Sequence, residues 1–99
     1  MSFDEHVRRA LDSLPPEIAR GLENVAVVVE DENPDDPDLL GLYQRGDYGP
    51  DTVTIYRRPL EETFHDPAEL EREIRITVLH ELGHYFGLDE DRLAELGYE

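Results

Sequence analysis

Hydrophobic residues near the start of the chain recur at the spacing of an amphipathic helix. The apolar positions of "SFDEHVRRALDSL" are Phe3, Val7, Leu11 and Leu14. Ser2 and Glu5 stand in the S-x-x-E arrangement of a capping box, so we predict that the helix begins after Ser2. His6 falls outside the apolar stripe, and we expect it to be exposed and to have no role.

A second, longer helical pattern runs from Asp66 to Phe86. Asp66 is a suitable N-cap, Pro67 fits the first helical position, and Glu69 completes a D-x-x-E box. Its apolar stripe consists of Leu70, Ile74, Val78, Leu82 and Tyr85. Gly87 is a natural left-handed stop for this helix, and "EDRLAEL" predicts a short final helix.

Between the two helices the pattern changes to one typical of strands. "VAVVVE" predicts a buried strand, because β-branched residues favour sheets. "LLGLYQ" and "TVTIYRR" predict two further strands, joined as a hairpin by the turn residues of "RGDYGPD", and "DENPDDPD" predicts a solvated loop. We therefore expect an α+β fold in which residues 1–99 form one domain: a sheet of about three strands packed with the N-terminal helix and the long helix.

Composition and charge narrow the function. No apolar run approaches membrane-spanning length and the N-terminus shows no signal sequence, so we expect a cytoplasmic location. The net charge of −16, from 25 acidic and nine basic residues, would repel nucleic acids and anionic membranes, and we expect neither as a partner. Such a charge suits cations or basic peptides, although a solvated surface explains most of it. Because the chain has no cysteine, any metal must be bound by His, Asp or Glu.

The segment "VLHELGHYFGLDEDRL" contains the ligands for such a metal. His80 and His84 lie one helical turn apart, about 40° around the axis, so both imidazoles can reach one cation. Glu81 lies beside that site, at about 100° from His80, where it can act on a water bound to the metal. Zinc with an open position lowers the pKa of its bound water, and a neighbouring carboxylate can then accept the proton.

A third ligand must come from beyond the helix, where the chain turns back at Gly87. Glu90 follows the glycine by three residues and is our first candidate. Asp89 is better suited to cap the final helix, and we expect Asp91 to point to solvent. The choice among these three acids stays open at the level of sequence.

His80, Glu81, His84, Gly87 and Glu90 together form H-E-x-x-H-x-x-G-x-x-E. This signature resembles that of the zincin metallopeptidases. More closely, the chain resembles the small bacterial zincin-like metallopeptidases called mini-zincins. The resemblance covers most of the chain and implies a Zn²⁺-dependent hydrolase that cleaves peptide bonds of a peptide or unfolded protein, with His80, His84 and Glu90 as ligands and Glu81 as general base.

Two departures and two open roles accompany the resemblance. Relatives often have Asp in the place of Glu90, and the methionine turn of the metzincins is absent, because the one methionine is Met1. By analogy Tyr98 could form the floor of the site, and Tyr98, Tyr56 or an arginine could stabilise the oxyanion. An extended substrate could pair with the edge of "TVTIYRR" or "LLGLYQ".

Other interpretations stay open. The chain could bind a metal or a peptide without catalysis, or, as a distant third, act as an acidic mimic of nucleic acid, which would leave the histidine spacing unexplained. His65 is predicted to be a loop residue. Arg57 and Arg58, expected at the end of the third strand, could orient a substrate or pair with surface acids.

Overall fold

The structure is a computed structural model that describes residues 2–85, 91 and 95, without the side chains of residues 84 and 85. In chain order its elements are α1 (Phe3–Asp12), α2 (Pro16–Gly21), a 3₁₀ turn (Leu22–Asn24), β1 (Val25–Glu30), β2 (Gly41–Gln44), β3 (Asp51–Tyr56), α3 (Arg57–Thr63) and α4 (Pro67–Tyr85). The predicted α+β class is confirmed. None of the helices in the described part of the chain could form a membrane span.

Both predicted helix starts are confirmed by their caps. The Ser2 hydroxyl accepts a hydrogen bond from the backbone N–H of Glu5 at 3.2 Å, and Asp66 Oδ2 accepts one from the N–H of Glu69 at 3.1 Å. Each cap satisfies a backbone donor that has no partner within its own helix. Pro67 then occupies the first position of α4, where the missing N–H of proline costs nothing.

The sheet has three strands in the order β1-β3-β2 within the described part of the chain. β2 and β3 form the predicted antiparallel hairpin, with Gly41 opposite Ile55, and β1 runs parallel to β3. β1 is therefore an edge strand, and Val28 within it is 40% exposed. The predicted strand is confirmed at Val25–Glu30, but the prediction that it would be buried was wrong, because a strand's burial depends on its place in the sheet as well as on its own residues.

Helix α3 was missed, and Arg57 and Arg58 begin it instead of ending the third strand. Pro59 suggests a helix breaker, yet it lies in the first turn of α3, where no backbone donor is needed. Arg57 pairs with Asp31 at 2.8 Å and with Glu61 at 2.6 Å, and Arg58 pairs with Glu32. The hydrogen bond from Arg57 lowers the pKa of Asp31, and the same contact raises the pKa of Arg57.

The hydrophobic core lies between the helices and β3. Its fully enclosed members include Val53 and Ile55 of β3, Leu60 of α3, and Ile74, Val78, Leu79 and Leu82 of α4. From α1 the face that packs against α4 carries Phe3, Val7 and Ala10. The long helix is thus held by the sheet, by α1 and by α3, which fixes the orientation of its remaining face.

His6 is buried, contrary to the expectation that it would be exposed. The residue is 7% exposed, and the Nδ1–H of its imidazole donates to Glu71 Oε1 of α4 at 2.8 Å. Arg9 Nε lies 3.2 Å from the same oxygen. The expectation failed because the buried face of α1 is wider than the apolar stripe, and because the partner of His6 is 65 residues away in sequence.

Candidate active site

One face of α4 lines an open cleft. The residues that α4 contributes are Glu73, Ile76, Thr77, His80 and Glu81. They recur at the helical spacing i, i+3, i+4, i+7 and i+8, which is one continuous stripe. The helix continues through Tyr85, so the backbone at position 84 follows on the same stripe, one turn after His80. His80 and Glu81 therefore lie together on the cleft wall.

The opposite wall of the cleft, which encloses about 440 Å³, comes from the segment that leads into β2. Leu39, Leu40 and Gly41 line it, together with Asp36 and Asp38. We name residues 36–41 the wall segment.

Gly41 brings the wall segment into close contact with α4. A Cβ atom at this position would lie 2.5 Å from Thr77 Cγ2 and 3.6 Å from Glu81 Cγ. Because non-bonded carbon atoms do not approach to 2.5 Å, a side chain at this position would force either β2 or the Thr77 side chain to move. The beginning of an edge strand thus lies directly beside Glu81.

The loop before the wall segment is fixed to α3 and to the sheet. The carbonyl oxygen of Asp31 accepts a hydrogen bond from the N–H of Arg58 at 2.8 Å, in addition to the side-chain pair of Asp31 with Arg57. Asn33 donates through Nδ2 to the Tyr56 hydroxyl at 2.9 Å, and its Oδ1 accepts from the N–H of Asp35. These contacts define where the acidic loop leaves the sheet, and so they position the wall of the cleft.

The described histidine side chains differ in their partners. His6 donates to Glu71, and His65, exposed as predicted, donates through Nε2 to the carbonyl oxygen of Glu62 at 2.8 Å. His80 is half-buried, and no described residue forms a hydrogen bond or an ion pair with it. A polar ring held in such an environment usually has a partner, and an imidazole on the wall of an open cleft is suited to bind a metal. The donor chemistry therefore fits zinc.

The other predicted ligands and the floor of the site fall outside what the structure describes. This holds for the side chain of His84, for Gly87, Asp89 and Glu90, and for Tyr98. Asp91 has helical backbone and is exposed, in agreement with its predicted orientation to solvent. Among the described side chains alone, no group of three or more His, Asp or Glu residues is placed to hold a metal ion. The ligand set of His80, His84 and Glu90 stays a prediction.

The structure also bears on the strands and side chains that were predicted to contact the substrate. Strand β3 is the central strand, paired on both sides, so "TVTIYRR" cannot offer a free edge, whereas β2 is an edge strand. Tyr56 is 3% exposed and does not line the cleft, and neither do Arg57 and Arg58. Surface pairing is thus the observed role of these arginines.

Sequence reasoning missed most of the cleft itself. Glu73 and Thr77 lie at helical spacing before His80, and the periodicity of α4 could have identified them. The wall segment carries no comparable signal, because its place beside α4 depends on pairing between β2 and β3. "DENPDDPD" was interpreted as a solvated loop, yet Asp36 and Asp38 at its end contribute to the cleft.

Comparison with protein families agrees with this geometry. A family model described as zincin-like metallopeptidase matches residues 22–98. The chain belongs to the zincin-like metallopeptidase family. The matched region of this zincin-like chain contains the whole sheet, the wall segment, α3 and α4, and it begins after α1 and α2. A comparison with curated proteins finds no match.

Proposed function

We propose that the protein is a zinc-dependent metallopeptidase that hydrolyses peptide bonds in peptides or unfolded proteins. One observation carries the proposal. The half-buried imidazole of His80 lies next to Glu81 on the wall of an open cleft, and no described residue is its partner. The chain that contains it belongs to a metallopeptidase family. The residue types at this wall are those that hydrolysis of an amide by activated water requires.

His80, His84 and Glu90 are the residues that would hold the metal. Bound there, Zn²⁺ would supply a water of lowered pKa and would polarise the carbonyl of the substrate. Two imidazoles and one carboxylate leave a fourth position of a tetrahedral ion open, as catalytic zinc sites require.

Glu81 is the general base in this proposal. Its carboxylate accepts the proton of the attacking water and then transfers it to the nitrogen of the leaving amine, so that the peptide bond breaks with no net consumption of protons. The position of Glu81 on the cleft wall beside His80 supports this assignment. A glutamine in its place would keep the shape of the side chain and lose the basic oxygen.

The substrate would lie along β2. Among the described strands it is an edge of the sheet, and its first residue, Gly41, lies beside Glu81. An extended peptide that pairs with the free edge of β2 would place its backbone near the cleft, with main-chain hydrogen bonds supplying affinity.

Zinc binding and hydrolysis are tested separately. Protein stripped with a chelator is titrated with zinc by calorimetry, and cleavage of a peptide library is followed by mass spectrometry. We expect one zinc per chain, and cleavage only with the metal present. Glu81→Gln should keep zinc affinity within a few-fold and lose cleavage, whereas His84→Ala should lose zinc binding. Release of zinc by Glu81→Gln would show that Glu81 is a ligand. Zinc binding without any cleavage would favour the alternative of a silent metal- or peptide-binding protein.

A further inference from the structure

We propose that the cleft binds a lysine or arginine side chain of the substrate and that Glu73 selects for its positive charge. This inference rests on the proposed peptidase function, because it assigns a specificity to the same site. It is carried by the position of Glu73 in the cleft, by the apolar walls around it and by the absence of a competing partner among the described residues.

Glu73 lies on the cleft-facing stripe of α4, two turns before His80. Glu73 is half-buried, and none of the described residues forms a hydrogen bond or ion pair with its carboxylate. The hydroxyl of Thr77, one turn later on the same stripe, donates to the Glu73 carbonyl oxygen at 2.8 Å and not to its carboxylate. A carboxylate that lines a cleft and has no partner among the described residues is suited to pair with a cation from outside.

The rest of the cleft suits the stem of a long side chain. Leu39 and Leu40 of the wall segment and Ile76 of α4 supply apolar surface, and the cleft volume of about 440 Å³ accommodates several methylene groups. Lysine and arginine combine an apolar stem with a charged end, so both parts of either side chain would find matching surface. Asp36 and Asp38 at the exposed rim add negative charge that would repel acidic residues.

The test measures binding of a set of peptides to the Glu81→Gln variant, and cleavage of the same peptides by the zinc-loaded parent protein. Uncharged nine-residue peptides of Ala, Ser and Gly carry one Lys, Leu or Glu, placed in turn at each position. Their binding to zinc-loaded Glu81→Gln protein is measured by fluorescence polarisation, so that no cleavage is needed for a result. We expect Lys peptides to bind about tenfold more tightly than Leu peptides at the preferred position, and Glu peptides to bind most weakly, as for a partly desolvated charge pair.

Glu73→Gln, in the same background, should reduce the Lys preference to about twofold or less while leaving binding of Leu peptides unchanged. Glu73→Lys should reverse the order of the Lys and Glu peptides. Glu62→Gln is the matched control, since Glu62 is exposed on α3, does not line the cleft, and loses the same charge.

The outcomes separate the two proposals. Equal binding of Lys and Leu peptides when Glu73 is present, or a Lys preference that survives Glu73→Gln, would overturn the role of Glu73. A Lys preference that depends on Glu73, found in a protein that cleaves none of these peptides with zinc bound, would support the binding role and count against the peptidase function. Cleavage without a charge preference would support the peptidase function and count against the role of Glu73.

Discussion

Replacement of Gly41 by alanine should destabilise the protein by forcing β2 or the Thr77 side chain of α4 out of position. The new Cβ would meet Thr77 Cγ2 at 2.5 Å, where ordinary contact requires 3.4–4 Å, and the carbonyl oxygen of Thr54 at 3.3 Å. Thr77 cannot rotate freely, because its hydroxyl donates to the Glu73 carbonyl oxygen. Either the strand moves or this hydrogen bond breaks.

The size of the effect follows from these contacts. Distortion of a rotamer costs about 0.5–1.5 kcal/mol and loss of the hydrogen bond about 0.5–1.5 kcal/mol, so we expect about 2 kcal/mol for Gly41→Ala. This lies within the range of about 1–3 kcal/mol typical of overpacked sites. For a domain of this length it corresponds to a decrease in Tm of about 8–16 °C.

The assay is thermal and urea unfolding followed by circular dichroism. Thr77→Ser removes the methyl group that clashes and keeps the hydroxyl, so Gly41→Ala combined with Thr77→Ser should recover at least half of the lost stability. Gly49→Ala is the matched control: an added Cβ there meets nothing within 4 Å, and the variant should be neutral or slightly stabilised. If Gly41→Ala costs less than about 0.5 kcal/mol, or if Thr77→Ser gives no rescue, the close approach of β2 to α4 is not the cause.

Three further predictions concern the ligands, pH and α1. Glu90→Ala should abolish zinc binding in calorimetry while Asp89→Ala retains it, and the opposite result would transfer the ligand role to Asp89. Because Arg57 lowers the pKa of Asp31 in the folded state, this pair stabilises the fold above the unfolded pKa of about 3.9, and the contribution is lost as pH falls through the folded value. On acidification below about pH 4 the Asp31→Asn variant should therefore lose less stability than the parent protein. The urea midpoint of unfolding is measured against pH for both proteins, and an identical pH dependence would contradict this expectation. His6→Leu should lower the free energy of unfolding by about 1–2 kcal/mol, and no change in urea unfolding would show that its buried hydrogen bond contributes nothing.

Features that depend on neighbouring residues were predictable from sequence. The caps at Ser2 and Asp66 are local hydrogen bonds, and the hairpin follows from turn residues between two short strands, so these elements were correctly placed. The family signature from His80 to Glu90 is likewise one short, continuous stretch of sequence. Helix α3 was missed because proline breaks a helix in its interior but is tolerated in the first turn, where Pro59 lies.

Features that depend on distant residues were not predictable in this way. The exposure of Val28 follows from the order of strands, and the burial of His6 follows from a partner on another helix. The cleft combines α4 with a segment more than thirty residues earlier, held there by β2, so no single window of sequence contains it. The sequence therefore indicates the candidate catalytic and metal-binding side chains better than it indicates the residues that surround them.

The mixed sheet has a consequence for the order in which the protein folds. Partners in the β2–β3 hairpin are close in sequence, such as Gln44 and Thr52, whereas β1 pairs with residues 26 positions later, as in Val25 with Asp51. The short loop costs less chain entropy to close, so we expect the hairpin to form first and β1 to join it late. Kinetic φ-values should then be low for Val27→Ala and higher for Val53→Ala, and the reverse order would contradict this pathway. The strand beside Glu81 would thus be among the first parts of the molecule to form.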